Sequence, residues 1–304
     1  MAIVSAEKFV QAARDNGYAI GGFNTNNLEW TQAILRAAEA KKTPVLIQTS
    51  MGAAKYMGGY KMCKLLIETL VESMGITVPV AIHLDHGHFD DALECIEVGY
   101  SSLMFDGSHL PIEENLKLAE EVIAKAHAKG ISVECEVGSI GGEEDGIVGE
   151  GELAPIDDAV AMAKLGVDFL AAGIGNIHGP YPENWKGLHI DHLEKLNKAL
   201  VEAMGHNVPI VLHGGSGIPD DQIREAIANG VAKVNVNTEC QLAFAAATRK
   251  FVNEFDDNEA EYMKKKLFDP RKFLKPGFDA ITASVEERID VFLSLIHISE
   301  PTRP

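Results

Sequence analysis

The sequence predicts an α/β protein folded as a closed (β/α)8 TIM barrel with extra C-terminal helices, and three observations point there. Eight short apolar runs alternate with longer amphipathic stretches along the chain. Several of the runs are continuously apolar rather than alternating, as parallel strands covered by helices are. No Pro-, Gly- or Ser-rich linker breaks the alternation, so the repeats belong to one unit. An open doubly wound sheet is the runner-up, but it commonly has fewer strands, and no G-x-G-x-x-G follows the first run.

Taken in order, the expected strands are Ala19–Asn24, Pro44–Ser50, Pro79–Asp85, Ser101–Asp106, Ile131–Val137, Asp168–Gly173, Pro209–His213 and Ala232–Asn237. Between them the spacing predicts helices such as Leu28–Lys41, Gly59–Ser73, Glu113–Lys129 and Asp191–Met204. In Glu113–Lys129, Leu116, Ala119, Val122, Ile123 and Ala126 fall on one helical face. Two connections are long, Gly138–Ile156 and Gly175–Ile190, and both are rich in Gly and charge. Long loops at one end of a barrel commonly serve as lids or binding loops. Past the eighth strand, Glu239–Phe255 and the stretch from Glu259 onward are too much for one barrel helix and read as a partner-facing appendage. The barrel is expected to occupy residues 1–292 as one catalytic domain. The final stretch, LSLIHISEPTRP over 293–304, follows a charged helix-like segment abruptly and resembles adaptor read-through more than a natural terminus.

Composition narrows the function. The 304 residues are 46% hydrophobic, enough for a sizeable core, and carry a net charge of −18. That charge repels nucleic acid and anionic lipid, so neither is an expected partner. An anionic substrate must then be held by a local device rather than by a global field. Cys63, Cys95, Cys135 and Cys240 form no CxxC pair and read as reduced, mostly buried thiols. With no secretory signal in the first residues and no apolar run of membrane-spanning length, the expected location is the cytoplasm.

The polar residues gather just after the strands, and a parallel barrel puts all those ends on one face. His86, His178 and His213 lie at the ends of strands three, six and seven. A lone histidine there more often bonds a backbone carbonyl. Three at equivalent positions instead suggest a catalytic zinc site with an open position. His83, two residues before Asp85, reads as support for that site. Asp85 stands next to His86 at the strand end and is placed for general acid/base work, with orientation of a histidine as its alternative role. Asp106, Glu134 and Glu136 are further strand-end carboxylates. Glu134 and Glu136 share one face of a strand. Inward carboxylates need a cation or donors, so they suggest a second metal position, hydrogen-bonded support of the first, or a salt bridge. The loop GSIGGEEDGIVGEG over 138–151 offers Glu143, Glu144 and Asp145 as bases on a mobile lid. HGGSG over 213–217 and VNVNT over 234–238, at the ends of strands seven and eight, read as a phosphate site. Their glycines permit close backbone approach, and Ser216 and Thr238 add hydroxyls.

These stretches together resemble a known family. HLDHG (83–87), VECEVGSIGGEEDG (133–146), GNIHGPY (175–181), VLHGGSGIP (211–219), KVNVNTE (233–239) and DPRKFLKP (269–276) are similar to the class II fructose-bisphosphate aldolases, from the N-terminus to about Phe292. The resemblance implies a zinc-dependent barrel, commonly a homodimer or larger, acting on sugar phosphates. It implies His86, His178 and His213 as zinc ligands, and Asp106 and Glu136 at a second divalent-metal position. Asp85 matches the group that exchanges a proton with the C4 hydroxyl. Glu144 matches the lid acid, with Glu143 an alternative register. Asn24 and Ser50 match substrate contacts. Gly179, Gly214, Gly215, Ser216, Asn235, Asn237 and Thr238 match the dihydroxyacetone-phosphate site. Arg271 matches an arginine that reaches the other phosphate, in some members from a neighbouring subunit. A monovalent cation, Na+ or K+, is implied near the phosphate loops. Tagatose-1,6-bisphosphate aldolase is the close alternative, and a non-catalytic sugar-phosphate-binding barrel the distant one.

Overall fold

In the computed structural model of the chain, eight parallel strands close into one barrel in sequential order. The structure describes residues 2–144, 147–149, 151–254 and 259–293, with the backbone alone at 143–144 and 147–149. The barrel strands are Ile20–Asn24, Val45–Ser50, Val80–Gly87, Ser102–Phe105, Ser132–Val137, Phe169–Ala172, Ile210–Leu212 and Val231–Val236. Each falls within a residue or two of the expected run. The barrel closes where Phe23 pairs with Val236 and Ile47 on either side.

Successive strand residues alternate between two apolar layers, as the pleat requires. Ile47, Ile82, Leu103 and Leu170 point outward and pack against helix residues such as Ile34, Ile67, Val122 and Leu196. Their neighbours Leu46, Ala81, Met104, Phe169 and Ala171 point inward. The inner layer meets Ala6, Val10 and Ala13, so helix Glu7–Asn16 plugs the N-terminal end of the barrel. Sequence reading did not single out this plug. Each fully buried Leu, Ile or Phe contributes about 1.5–3 kcal/mol. The end left open is therefore the opposite one, at the C-terminal strand ends.

The helices begin where local chemistry starts them. The Asn27 side chain accepts the Trp30 N–H at 3.0 Å, capping helix Leu28–Lys41. Ser50 does the same for Met51–Met57 by accepting from Ala53 at 3.2 Å. The expected C-terminal appendage is corrected in part. Helix Lys275–Leu293 buries Ile281, Val285, Ile289 and Phe292. It packs against Leu28–Lys41 and Thr238–Glu254, and Ala19 N–H bonds the Phe292 carbonyl at 3.2 Å. It thus completes the outer helical layer beside the first strand, where its apolar face is covered. Helix Thr238–Glu254 leaves only one face to solvent, burying Cys240 and exposing Leu242 and Val252.

The first long loop forms a hairpin, Gly141–Glu144 with Ile147–Gly149, and Ile177–His178 adds a third, parallel strand to it. The hairpin is therefore tied by backbone to the segment that carries His178. Residues 294–304 lie outside the described residues. No described helix is long and apolar enough to cross a membrane, and all four cysteines are free and buried.

Candidate active site

The third strand sets the first ligand by an irregularity at its end. Its register with the fourth strand shifts between Leu84 and Gly87, and His86 adopts a left-handed backbone at φ 48°. Non-glycine residues rarely sit there, and such conformations cluster at functional sites. The kink breaks the in–out alternation, so Asp85 and His86 both reach the barrel mouth. His86 and His213 rings lie 4.5 Å apart between centroids, and His86 and His178 rings 4.8 Å apart. One nitrogen from each of the three falls within 4.8 Å of the others. In a tetrahedral zinc site such nitrogens stand about 3.3 Å apart. The ends of strands three and seven and the Ile177–His178 segment thus bring the three predicted histidines together, although His178 lies on the strand added to the hairpin rather than at the end of strand six itself. Of the remaining histidines, His192 and His206 bond backbone carbonyls of Ala154 and Asn207.

Whether these residues fit a metal is decided by what their other atoms do. His86 Nδ1 faces Asp106 Oδ2 at 2.8 Å, and His213 Nε2 faces Glu134 Oε1 at 2.7 Å. Carboxylates behind two histidines leave Nε2 of His86 and Nδ1 of His213 turned to each other at 2.8 Å, the arrangement of metal-ligating imidazoles. Glu136 adds a second sign. It is buried, and its Oε2 has no hydrogen-bond partner among the described residues. Burial and then the neighbouring Asp106 push its carboxyl well above the usual range. Burial acts the same way on Asp106, but the His86 contact and Ser108 donors outweigh it and hold that carboxyl low. His86, Asp106 and Glu136 form a second group with metal-ligand spacing. The residues fit a divalent cation.

Burial first, then the charge of His86, holds the His213 pKa well below the usual imidazole range. Burial and then Lys233 do the same for His83. The folded protein therefore resists protonating both, whereas the unfolded chain takes up protons below about pH 6.5. Stability of the metal-free protein falls on acidification through these groups. Glu136, raised in the fold, acts in the opposite sense. The histidine part is isolated by comparing wild type with His83→Gln: between about pH 8 and about pH 5.5 the unfolding midpoint of the variant should gain on that of wild type. A gap independent of pH would contradict this.

Asp85 is buried, and both its oxygens are held. Asn24 donates to Oδ2 at 2.7 Å and Asn235 to Oδ1 at 3.1 Å, while Gln48 donates to Asn24 Oδ1 at 3.1 Å. The cleft beside it is lined by Asp85, Asn24, His178 and Asn235, together with the glycine loops. Gly179 and Gly214 lie on its wall with Ser216, Asn237 and Thr238. Gly214 sits at φ 63°, and a Cβ there would stand 2.1 Å from the Ile177 carbonyl oxygen. Only glycine lets loops six and seven touch there. Tyr181 locks the contact by accepting from Ile177 N–H and donating to the Gly214 carbonyl. Ser216 Oγ accepts from the N–H groups of Asn237 and Glu239 at 3.2 and 3.1 Å, where helix Thr238–Glu254 begins. A helix N-terminus with glycine-rich backbone beside it suits an anion.

Other expected residues fall elsewhere. Gly215 bonds the Asn235 carbonyl through its N–H and braces the cleft from behind. Ser50 pairs in register with Asp85 but spends its hydroxyl on the helix cap. Arg271 is outside the cleft, 89% exposed and paired with Asp269. Glu144 contributes backbone to the hairpin, and its side chain, like that of Glu143 and the whole of Asp145, lies outside the described residues. Glu134 takes the supporting role rather than a metal position. Gln48, Lys233 and Gln241, which also lines the cleft, were not singled out from sequence.

A parallel barrel that gathers three imidazoles at metal-ligand spacing, a fixed carboxylate and a helix N-terminus at one rim has the form of a metal-dependent barrel enzyme. Comparison with known proteins makes the class specific. The family described as class-II fructose-bisphosphate aldolase matches residues 4–295. The chain is 80% identical over 292 residues to the fructose-bisphosphate aldolase of Streptococcus pneumoniae serotype 4, across 96% of this chain and 98% of that one. It is 76% identical, with the same coverage, to that of Streptococcus pyogenes serotype M1. The crystal structure of the Campylobacter jejuni fructose-bisphosphate aldolase matches with a TM-score of 0.79 at 26% identity, over 96% of this chain and 95% of that chain. The chain belongs to the class-II fructose-bisphosphate aldolase family. It is a carbon–carbon lyase, and the family implies a divalent metal.

Proposed function

We propose that this protein catalyses the reversible cleavage of fructose 1,6-bisphosphate to dihydroxyacetone phosphate and glyceraldehyde 3-phosphate at a zinc ion held by His86, His178 and His213. The observation that carries the reading is the convergence of those three rings beside Asp85 and the anion cleft. Bound there, zinc supplies Lewis-acid polarisation of the substrate ketone. Asp85, unable to swing because two amides hold it, takes the C4 hydroxyl proton while the C3–C4 bond breaks and its electron pair stays on C3. Glu144, on the hairpin tied to His178, returns a proton to C3. Gly179, Gly214, Ser216, Asn237 and Thr238 hold one phosphate, with Gly215 bracing their loop from behind and Asn24, Ser50 and Asn235 ordering the chain between. Arg271 reaches the other phosphate from a neighbouring copy, which its distance from the cleft of its own chain favours.

The finer assignments follow the same reading. Asp106 and Glu136 with His86 take a second divalent cation, and a monovalent cation, Na+ or K+, sits by the phosphate loops. The enzyme is read as a cytoplasmic homodimer or larger assembly without nucleic-acid or membrane partners, residues 1–292 being one catalytic domain and 293–304 taking no part.

Cleavage of purified fructose and tagatose bisphosphates, before and after chelation, tests the proposal. Activity should favour the fructose sugar, vanish on verified metal removal and return with zinc. A clear preference for tagatose overturns the substrate, activity without metal overturns the zinc role, and ligand binding without turnover points to the non-catalytic barrel.

A further inference from the structure

We propose that Lys233 is a positioning residue for the metal centre, acting through Glu134 to fix the orientation and tautomer of His213. Lys233 is fully buried on the eighth strand. A buried ammonium is costly unless it is paired with good geometry, and here it is paired. Its Nζ donates to Glu134 Oε2 at 2.7 Å and stands 3.3 Å from His83 Nε2. Glu134, also fully buried, turns its other oxygen to His213 Nε2 at 2.7 Å.

The consequence lies in the last torsion of Glu134. A glutamate carboxylate rotates through a broad, shallow range when free. Anchored at both oxygens, it presents one acceptor in one direction. A carboxylate only accepts, so the imidazole hydrogen stands on His213 Nε2, and the Nδ1 lone pair is left toward the metal position beside His86 Nε2. Lysine itself does not line the cleft, so it touches neither substrate nor reacting atoms. Its far side is anchored too: His83 Nδ1 meets Ser102 Oγ at 2.8 Å, Ser132 Oγ donates to Ser102 Oγ at 2.9 Å, and Ala6 N–H donates to Ser132 Oγ at 3.2 Å. A polar line thus runs down the barrel interior from the candidate metal ligand to the chain just before the N-terminal plug. An ion pair serving only to fill the core would not need to face a ligand with its second oxygen.

This inference rests on the reading of His213 as a ligand, and zinc affinity separates the two. Zn2+ is titrated against a competing chromophoric chelator in wild type, Lys233→Met, Lys233→Gln and Ser102→Ala, with kcat and KM measured at saturating zinc. Lys233→Met should weaken zinc about 10–100-fold and lower kcat, with KM for the bisphosphate within about twofold. Lys233→Gln, which keeps a donor toward Glu134, should lose less, and it decides the matter if Lys233→Met fails to fold. Ser102→Ala breaks the line below Lys233 and should leave affinity within about twofold, unlike a general disturbance of the core. Wild-type affinity in the folded lysine variants overturns the role of Lys233 alone. Absence of zinc binding in wild type overturns the reading of the site along with it.

Discussion

Replacing Asp85 with alanine is expected to cut aldol cleavage by about 10²–10⁴-fold, the range of a lost general acid/base, while zinc content stays at the wild-type value. The separation of the two readouts follows from geometry. Asp85 is adjacent to His86 in sequence, yet its oxygens are held by Asn24 and Asn235, whereas His86 is buttressed by Asp106. Removing the carboxylate therefore takes away the proton acceptor and leaves the support of the ligand in place. The loss should fall on kcat, because a group that accepts a proton as the bond breaks acts in the transition state. Elemental analysis and steady-state kinetics on one preparation check this. A near-normal kcat removes Asp85 from the role, and a parallel loss of zinc returns it to orienting a histidine.

Replacing His178 with alanine is expected to weaken zinc by more than about 100-fold, beyond what loss of a supporting partner costs, and to abolish measurable turnover at trace metal. His178 has a second reason to matter. Its segment pairs by backbone with the hairpin, Gly142 standing opposite His178, so replacing it also touches the strand that holds the hairpin to the site. His192→Ala serves as the control, since among the described residues that ring bonds the Ala154 carbonyl, away from the three-histidine cluster. Titration with Zn2+ and cleavage assays at rising zinc measure both. Equal affinity in the His178 and His192 variants would contradict the assignment.

Much of this was legible in the sequence because barrels are read through their strand ends. Continuous apolar runs bounded by Gly, Pro and polar residues place eight strands, and the rule that their C-terminal ends share a face makes His86, His178 and His213 neighbours before any coordinate is seen. Period-two alternation likewise puts Glu134 and Glu136 on one inner face. It could not divide their labour, because that depends on partners from other strands. Lys233 turns Glu134 into a support, while Glu136 stands by Asp106 with no donor to its Oε2 among the described residues. Lysine in a strand reads as a surface residue by default, and only closure of the barrel brings Lys233 against a carboxylate from the fifth strand. The N-terminal plug and the final barrel helix escaped notice for a similar reason. Neither belongs to a repeating strand–helix unit, and each is placed by the apolar surface left uncovered once the barrel closes.

Three imidazoles are expected to share one zinc ion at the open rim. X-ray absorption at the zinc edge of protein loaded with one equivalent tests it most directly. The expected spectrum shows multiple scattering from three imidazole rings with nitrogen at about 2.0–2.1 Å, and one ring fewer in His213→Ala. A shell dominated by sulfur at about 2.3 Å, or one of oxygens without imidazole scattering, would contradict it.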